Sequence, residues 1–348
     1  MEVEVVQVAV LGANGHTGRF VMAELRRRGA NPIPAVRPGT ILPGARRLDF
    51  DDPESLDQAL RGAQAVINCA GPFLDTAEPG ARAAIRAGIP YLDVTPEQIT
   101  VMNLFDRLDA EARAGGVTIV PAMAFYGGLA DLLATALISN HGVADRIEVG
   151  IALDSWHPTP GTRLTGERNI YPRMVVRHGE LVAQAALAPT RQWRFNPPFG
   201  NQAMTGVQMA EIVLMHRHLR AAEITNYLND KPLADLGDPA TPPPVASDER
   251  GRSSQQFVVD VRVEHAGQHS RATAAGQDIY AITAPLVVSA CLDLISKGGG
   301  EGGVRAPGEL FDARVFLTAL SPDLTTAFQP AIQTQGRQVR AMASAPTP

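Results

Sequence analysis

Residues 5–37 read VVQVAVLGANGHTGRFVMAELRRRGANPIPAVR, and their order of features decides the fold. An apolar run, Val5–Leu11, ends in Gly12-x-x-Gly15-x-x-Gly18. A helix-forming stretch follows and closes at Gly29, and a second short apolar run ends at Arg37. Strand, glycine turn, helix and strand in that order are the parts of a dinucleotide-binding βαβ unit. Gly12 permits a tight exit from the strand, and Gly15 lets the backbone approach a pyrophosphate. Gly18 lets the helix pack close to the sheet, and the N–H groups of its first turn face the anion. The expected cofactor contacts are therefore Gly12, Ala13, Asn14, Gly15, His16, Thr17 and Gly18.

Outward from this unit, the chain repeats β-α pairs as far as residue 125. Arg46–Phe50 reads as a short strand, and Asp52-Pro53 as an N-cap and first helical position. Ala65–Cys69 is a buried-type strand before a helix from about Thr76. Tyr91–Val94, a helix over Pro96–Ala114 and the strand Val117–Pro121 complete the series. Such alternation specifies an α/β fold: a Rossmann-type, doubly wound parallel sheet.

Beyond Pro121 the pattern becomes α+β with a mainly antiparallel sheet. Expected elements are a helix over Leu129–Ser139, a strand over Arg146–Leu153 and a polar loop over Ser155–Ile170. A hairpin turns at His178-Gly179, and Thr205–Asn229 reads as largely helical. An exposed loop follows over 231–256, then a second hairpin (Phe257–Glu264 with Ser270–Ala275) and a helix over Ile282–Ser296. The expected division is a nucleotide-binding domain over 1–128 and a substrate and dimerisation domain over 129–278. A C-terminal helical segment (279–332) packs back on the first domain, and a disordered tail (333–348) ends the chain.

Composition narrows the function. The chain has 348 residues and a net charge of −5 without blocks of like charge, so it lacks the basic footprint of a nucleic-acid binder. No apolar run approaches the roughly 18 residues of a membrane span, and the acidic N-terminus does not read as a signal peptide. Cys69 and Cys291 form no disulfide framework or metal spacing, so a reducing cytoplasm is the expected location and no metal is expected. Of 31 basic residues only Lys231 and Lys297 are lysines. A Schiff-base mechanism is therefore disfavoured.

Arg37 stands at the end of the second strand, where an acidic residue would select NAD. Its guanidinium suits a 2′-phosphate, so NADP(H) is expected over NAD(H); the alternative is one surface arginine among 29. Asn68–Phe73 follows the fourth strand at the edge where doubly wound folds bind ligands, which adds Ala70, Gly71 and Pro72 to the cofactor set. Tyr227-x-x-x-Lys231 matches the acid pair of short-chain dehydrogenases, but it lies outside the alternating region with Pro232 behind it, and coincidence is the better reading. His216 and His218 sit about 200° apart on a helix, poor geometry for one metal.

Gly12–Gly18, Val66–Phe73, Tyr91–Glu97, Pro121–Asp131, Gly161-Thr162, Gly276–Tyr280 and Gly303–Glu309 together resemble the saccharopine dehydrogenase-like oxidoreductases over nearly the whole chain. The Gly-x-x-Gly-x-x-Gly spacing is similar to the branch with trans-acting enoyl reductases. Thr95-Pro96-Glu97 stands where the family has Thr-Gly-Glu. The resemblance implies an NADPH-dependent reductase acting on a C=N, C=C or C=O bond of a small metabolite, and a homodimer formed through the second-domain sheet. Tyr126 is the expected proton donor or orienting hydroxyl, with Thr95 beside it. Phe125, Gly127 and Thr162 line the substrate site, and Arg163 or Arg168 clamps a carboxylate. The alternative is a dinucleotide-binding redox sensor without turnover.

Overall fold

The computed structural model describes residues 5–138, 143–185 and 187–333. The expected tail lies outside them, apart from its first residue. The first layer contains β1 (Gln7–Leu11), α1 (His16–Arg27), β2 (Asn31–Val36), β3 (Arg46–Arg47), α2 (Pro53–Leu60), β4 (Ala65–Asn68) and α3 (Phe73–Ala87). β5 (Tyr91–Asp93), α4 (Gln98–Ala114) and β6 (Thr118–Val120) complete the alternating series. Asp52 caps α2 through the Glu54 N–H, with Pro53 in the first turn, as its sequence specifies.

α5 (Gly128–Leu137) leads into the second half: β7 (Val143–Leu153), α6 (Pro160–Arg168), β8 (Met174–Arg177), β9 (Glu180–Ala183), β10 (Thr190–Arg194) and β11 (Asn201–Gly206). Then come α7 (Ala210–His218), β12 (Arg220–Asn229), α8 (Asp230–Gly237), β13 (Gln256–His265) and β14 (Gln268–Gln277). The chain ends with α9 (Thr283–Ser296), β15 (Gly303–Val304), α10 (Pro307–Leu310), α11 (Ala313–Thr318) and β16 (Leu324–Gln333).

The first sheet has the order β15-β6-β5-β4-β1-β2-β3, and every pairing in it is parallel. The order reverses between β1 and β4, which opens a crevice at their carboxyl ends. The core strands read as continuous apolar runs because both faces are covered. The second sheet runs β10-β11-β12-β7-β13-β14-β16, with the β8–β9 hairpin attached to β12. It is a mixed sheet, antiparallel except for the β12–β7 pair.

Four local expectations are corrected. The exposed loop expected over 231–256 begins with most of α8. Thr205–Asn229 is mostly not helical: α7 occupies its middle, and most of the rest is in β11 and β12. The polar stretch 155–170 contains α6, whose Thr159 cap and Pro160 start repeat the Asp52-Pro53 signal. The segment 279–332 packs α9 against α1 but ends as β16, a strand of the second sheet.

Candidate active site

At the end of β1 the chain turns through Gly12 at φ +76°, and a Cβ there would stand 2.9 Å from the Ala70 Cα. Only glycine satisfies both the backbone angle and the space. A Cβ on Gly18 would come 2.2 Å from the Gly12 carbonyl oxygen. The close approach that this glycine allows is therefore of the helix to the loop itself, more than to the sheet. Gly15 caps α1 with no side-chain hydrogen bond, and no acid stands in the first turn. The helix N-terminus thus keeps its donors for an anion.

The turn facing this loop is shaped by buried polar groups. The Asn68 side chain accepts from the Ala70 N–H (2.9 Å) and donates to the Tyr91 hydroxyl (3.0 Å), while Thr76 donates to the Ala70 carbonyl. Asp93, fully buried at the end of β5, accepts from the N–H groups of Thr95 and Ala122. Burial pushes its carboxyl up to about 6 against those two bonds. Asp93 thereby joins the carboxyl ends of β5 and β6 and sets the path into Phe125 and Tyr126.

One cavity of about 1190 Å³ runs from the glycine loop into the second domain. Of the residues expected from sequence, Gly12, Asn14, Gly15, His16, Thr17, Arg37, Ala70, Gly71, Phe125, Tyr126, Thr162 and Arg163 line it. Arg37 reaches across the crevice, donating to the Gly71 carbonyl at 3.0 Å. Ala13 and Gly18 are buried in the loop's own packing. Pro72 caps α3, and Gly127 turns at φ +132° against Ala122 without lining the cavity.

Thr95 is placed differently from expectation. It is fully buried, and its hydroxyl accepts from the Glu97 N–H at 3.1 Å, which shapes the approach to α4 and leaves the cavity untouched. Arg168 faces away and pairs with Asp75 at 2.8 Å. Arg163 does line the cavity, but its guanidinium donates to the carbonyls of Leu236, Asp238 and Thr241. Neither arginine is a free carboxylate clamp.

Tyr126 is buried, and its hydroxyl finds no hydrogen-bond partner among the described residues. Its ring sits edge-on to Phe125 and 5.4 Å from Trp156. Burial raises its pKa well above the usual value, so the phenol keeps its proton. His16 lines the same cavity with Nε2 buried and unpartnered, its ring edge-on to Tyr280. Burial lowers the imidazole pKa, which favours the neutral form.

Several cavity residues lie outside the set expected from sequence, and four of them bear on the chemistry. Tyr280 is the hub of a network: Trp156 Nε1 donates to its hydroxyl at 3.0 Å, Thr162 Oγ1 lies at 3.0 Å, and the Thr159 N–H points at it. The available signal was its place at the end of Gly276–Tyr280, just before α9. Trp156 is followed by His157, whose half-buried ring lies 3.1 Å from the Pro242 carbonyl. Arg19, in the first part of α1, and Arg173, before β8, also line the cavity.

Tyr227 packs in β12 beside Trp193, and Lys231 pairs with Asp235, so the Tyr-x-x-x-Lys match lies outside the cavity. Cys69 touches the cavity with its thiol pKa raised by burial and by Asp93. Among the described residues no group of three or more His, Cys, Asp or Glu is arranged to hold a metal ion.

Residues 43–120 match the family model of the saccharopine dehydrogenase NADP-binding domain. The matched stretch begins before β3 and ends with β6; the glycine loop belongs to the same sheet. No curated protein matches the sequence. Among solved structures, apo saccharopine dehydrogenase (L-Glu forming) from Saccharomyces cerevisiae is similar with a TM-score of 0.61 at 13% identity, covering 93% of this chain and 100% of its own. A meso-dapdh mutant with DAP from Clostridium tetani has a TM-score of 0.51 at 12% identity, covering 91% and 96%. At these identities the likeness is one of fold. Residues 43–120 are thus similar to the saccharopine dehydrogenase NADP-binding domain, and the fold is similar to that of the yeast enzyme over nearly the whole length of this chain.

Proposed function

We propose that this protein is an NADPH-dependent reductase acting on a polarised C=N, C=C or C=O bond of a small metabolite. The observation that carries the reading is the continuous cavity. It joins the glycine loop, with Arg19, Arg37 and the buried His16 Nε2, to Tyr126, and among the described residues neither His16 Nε2 nor the Tyr126 hydroxyl has a hydrogen-bond partner. The space at Gly12, the uncapped α1 N-terminus and the two cations fit a dinucleotide diphosphate with an additional phosphate. When bound there, NADPH supplies the hydride.

The chain's own groups position the acceptor and manage the proton. Tyr126, protonated at neutral pH, donates a hydrogen bond to the substrate heteroatom and orients it. A buried hydroxyl left unpaired costs about 1–3 kcal/mol, which a ligand contact recovers. The Tyr280–Thr162–Thr159 hydroxyl chain is the route by which a proton reaches that heteroatom. Phe125, Trp156 and Met209 exclude water. An iminium acceptor needs little acid assistance, consistent with the lack of a cavity lysine.

A homodimer through the second sheet and a cytoplasmic location complete the proposal. The two free cysteines suit a reducing compartment, and no described helix is long and apolar enough to cross a membrane. The test is NADPH titration followed by nicotinamide oxidation assays on imine, enoyl and keto substrates. Hydride loss with at least one class is expected. Tight binding with no oxidation across all three would refute turnover and leave a redox sensor.

A further inference from the structure

We infer that Arg173 is the anion-binding residue at the substrate end, and that the substrate joins a carboxylate to a bulky apolar body; this rests on the reductase reading above. Four arginines line the cavity. Arg19 and Arg37 stand at the glycine-loop end, and Arg163 is engaged by three backbone carbonyls. Arg173 is partly buried, and its guanidinium has no hydrogen-bond or ion-pair partner among the described residues.

Its position is fixed by its neighbour. The Gln98 side chain clasps the Met174 backbone, with Nε2 donating to the carbonyl at 2.9 Å and Oε1 accepting from the N–H at 2.8 Å. Gln98 opens α4, shortly after β5, so Arg173 is held near the carboxyl edge where doubly wound sheets take ligands.

Nearby acids do not neutralise it. Glu97 is its main anionic neighbour, but that carboxylate is buried and accepts from the Phe73 N–H and the Thr100 hydroxyl, outside ion-pair distance of Arg173. Asp75 is taken by Arg168, and Glu167 is exposed on α6 without an ion pair to Arg173. Partial burial lowers the Arg173 pKa, yet a guanidinium stays charged in proteins. A half-desolvated, unpaired guanidinium favours a planar anion that it can grip through two N–H groups.

The surfaces beyond it select the rest of the molecule. Phe125, Tyr126, Trp156, Met209 and Leu236 present aromatic and aliphatic area, which suits an apolar body more than a zwitterionic one.

Calorimetric titration of the NADP⁺-saturated protein with phenylpyruvate and with phenylacetone, its neutral counterpart, tests the assignment. The acid is expected to bind at least tenfold tighter. Arg173→Met should remove that preference while leaving phenylacetone and NADPH affinities unchanged, and Arg173→Lys should restore part of it. Arg173→Lys also serves as the test variant if Arg173→Met does not fold, since loss of the bidentate grip should still weaken the acid severalfold. A protein that binds NADPH but shows no preference for the acid overturns this inference alone, as does a preference that survives in Arg173→Met or is undiminished in Arg173→Lys. Wild-type protein that binds no NADPH overturns the reductase reading and this inference together.

Discussion

Alanine at Gly15 and at Gly18 should separate binding from folding, although the two positions lie only three residues apart. At Gly15 the backbone angles (φ −65°, ψ 166°) suit alanine, and the added Cβ would meet only the Gly12 carbonyl oxygen at 3.2 Å. The neighbour yields by a few tenths of an ångström, and exchanging an N-cap glycine for alanine costs about 0.5–1 kcal/mol. At Gly18 the Cβ would lie 2.2 Å from the same oxygen. Ordinary contact starts at 3.4 Å, so loop and helix must part by about 1 Å at an overpacking cost of about 1–3 kcal/mol. Thermal unfolding should therefore show Gly18→Ala to be clearly the less stable variant. Binding reverses the emphasis at Gly15, because its methyl group occupies the approach of the diphosphate to the α1 N-terminus. Losing one charge-assisted hydrogen bond there costs about 1.5–3 kcal/mol, a rise in the NADPH Kd of about 10–150-fold. Calorimetry on the folded Gly15→Ala protein measures it. Wild-type affinity in that variant would refute the placement of the diphosphate. Equal stability of the two variants would refute the packing argument.

Arg37→Ala should lower the ratio of NADP⁺ to NAD⁺ affinity by about 10-fold or more, the worth of a charged hydrogen bond to a 2′-phosphate; an unchanged ratio refutes the role. Tyr126→Phe should leave stability unchanged or raise it by about 1 kcal/mol, since the hydroxyl has no partner among the described residues. Its kcat should nevertheless fall by about 10-fold or more through loss of the orienting hydrogen bond, and full activity would exclude that hydroxyl from the reaction. Glu211, buried in α7 with only the Asn226 amide as side-chain partner, has its carboxyl pushed up to about 8 by burial. The folded state then holds a proton that the unfolded chain releases near 4.3. Stability contributed by this group is present at low pH and falls by about 1.4 kcal/mol per unit as pH rises across the window from about 5 to 8. Denaturant melts of wild type and Glu211→Gln at pH 5.5 and 8 check this; parallel pH dependence in the two proteins refutes it.

The nucleotide-binding half was legible because its signals are local. Asp52-Pro53 caps α2, Gly12 turns the chain, and each strand is a short apolar run between recognisable turns. The second half was harder for a physical reason. β12 is a central strand whose inner stretch is buried on both faces, so Ile224–Leu228 lacks the alternation that separates strand from helix. α6 was missed although Thr159-Pro160 carries the same cap chemistry as Asp52-Pro53, because its Gly and Thr content lowers helix propensity. Arg163 and Arg168 were plausible clamps by position; what separates them from Arg173 is which carbonyls and carboxylates the fold brings to each guanidinium.

Tyr280 shows why the reactive end had no compact motif. Its position depends on Asp278, which sits at φ +61° and accepts from the N–H groups of Tyr280 and Ala281 through Oδ1 and from Ser253 through Oδ2. That turn starts the run into α9, and α9 packs on α1, the helix that begins at the glycine loop. Tyr280 is thereby carried to His16, and its hydroxyl to Trp156 and Thr162. The cavity joins segments near residues 12–19, 69–73, 156–173 and 279–283, each held by its own turn or helix start. The glycine loop is compact because one helix terminus supplies most of what a phosphate needs. The substrate end uses single side chains from several distant segments, and only the return of α9 onto α1 brings Tyr280 to them.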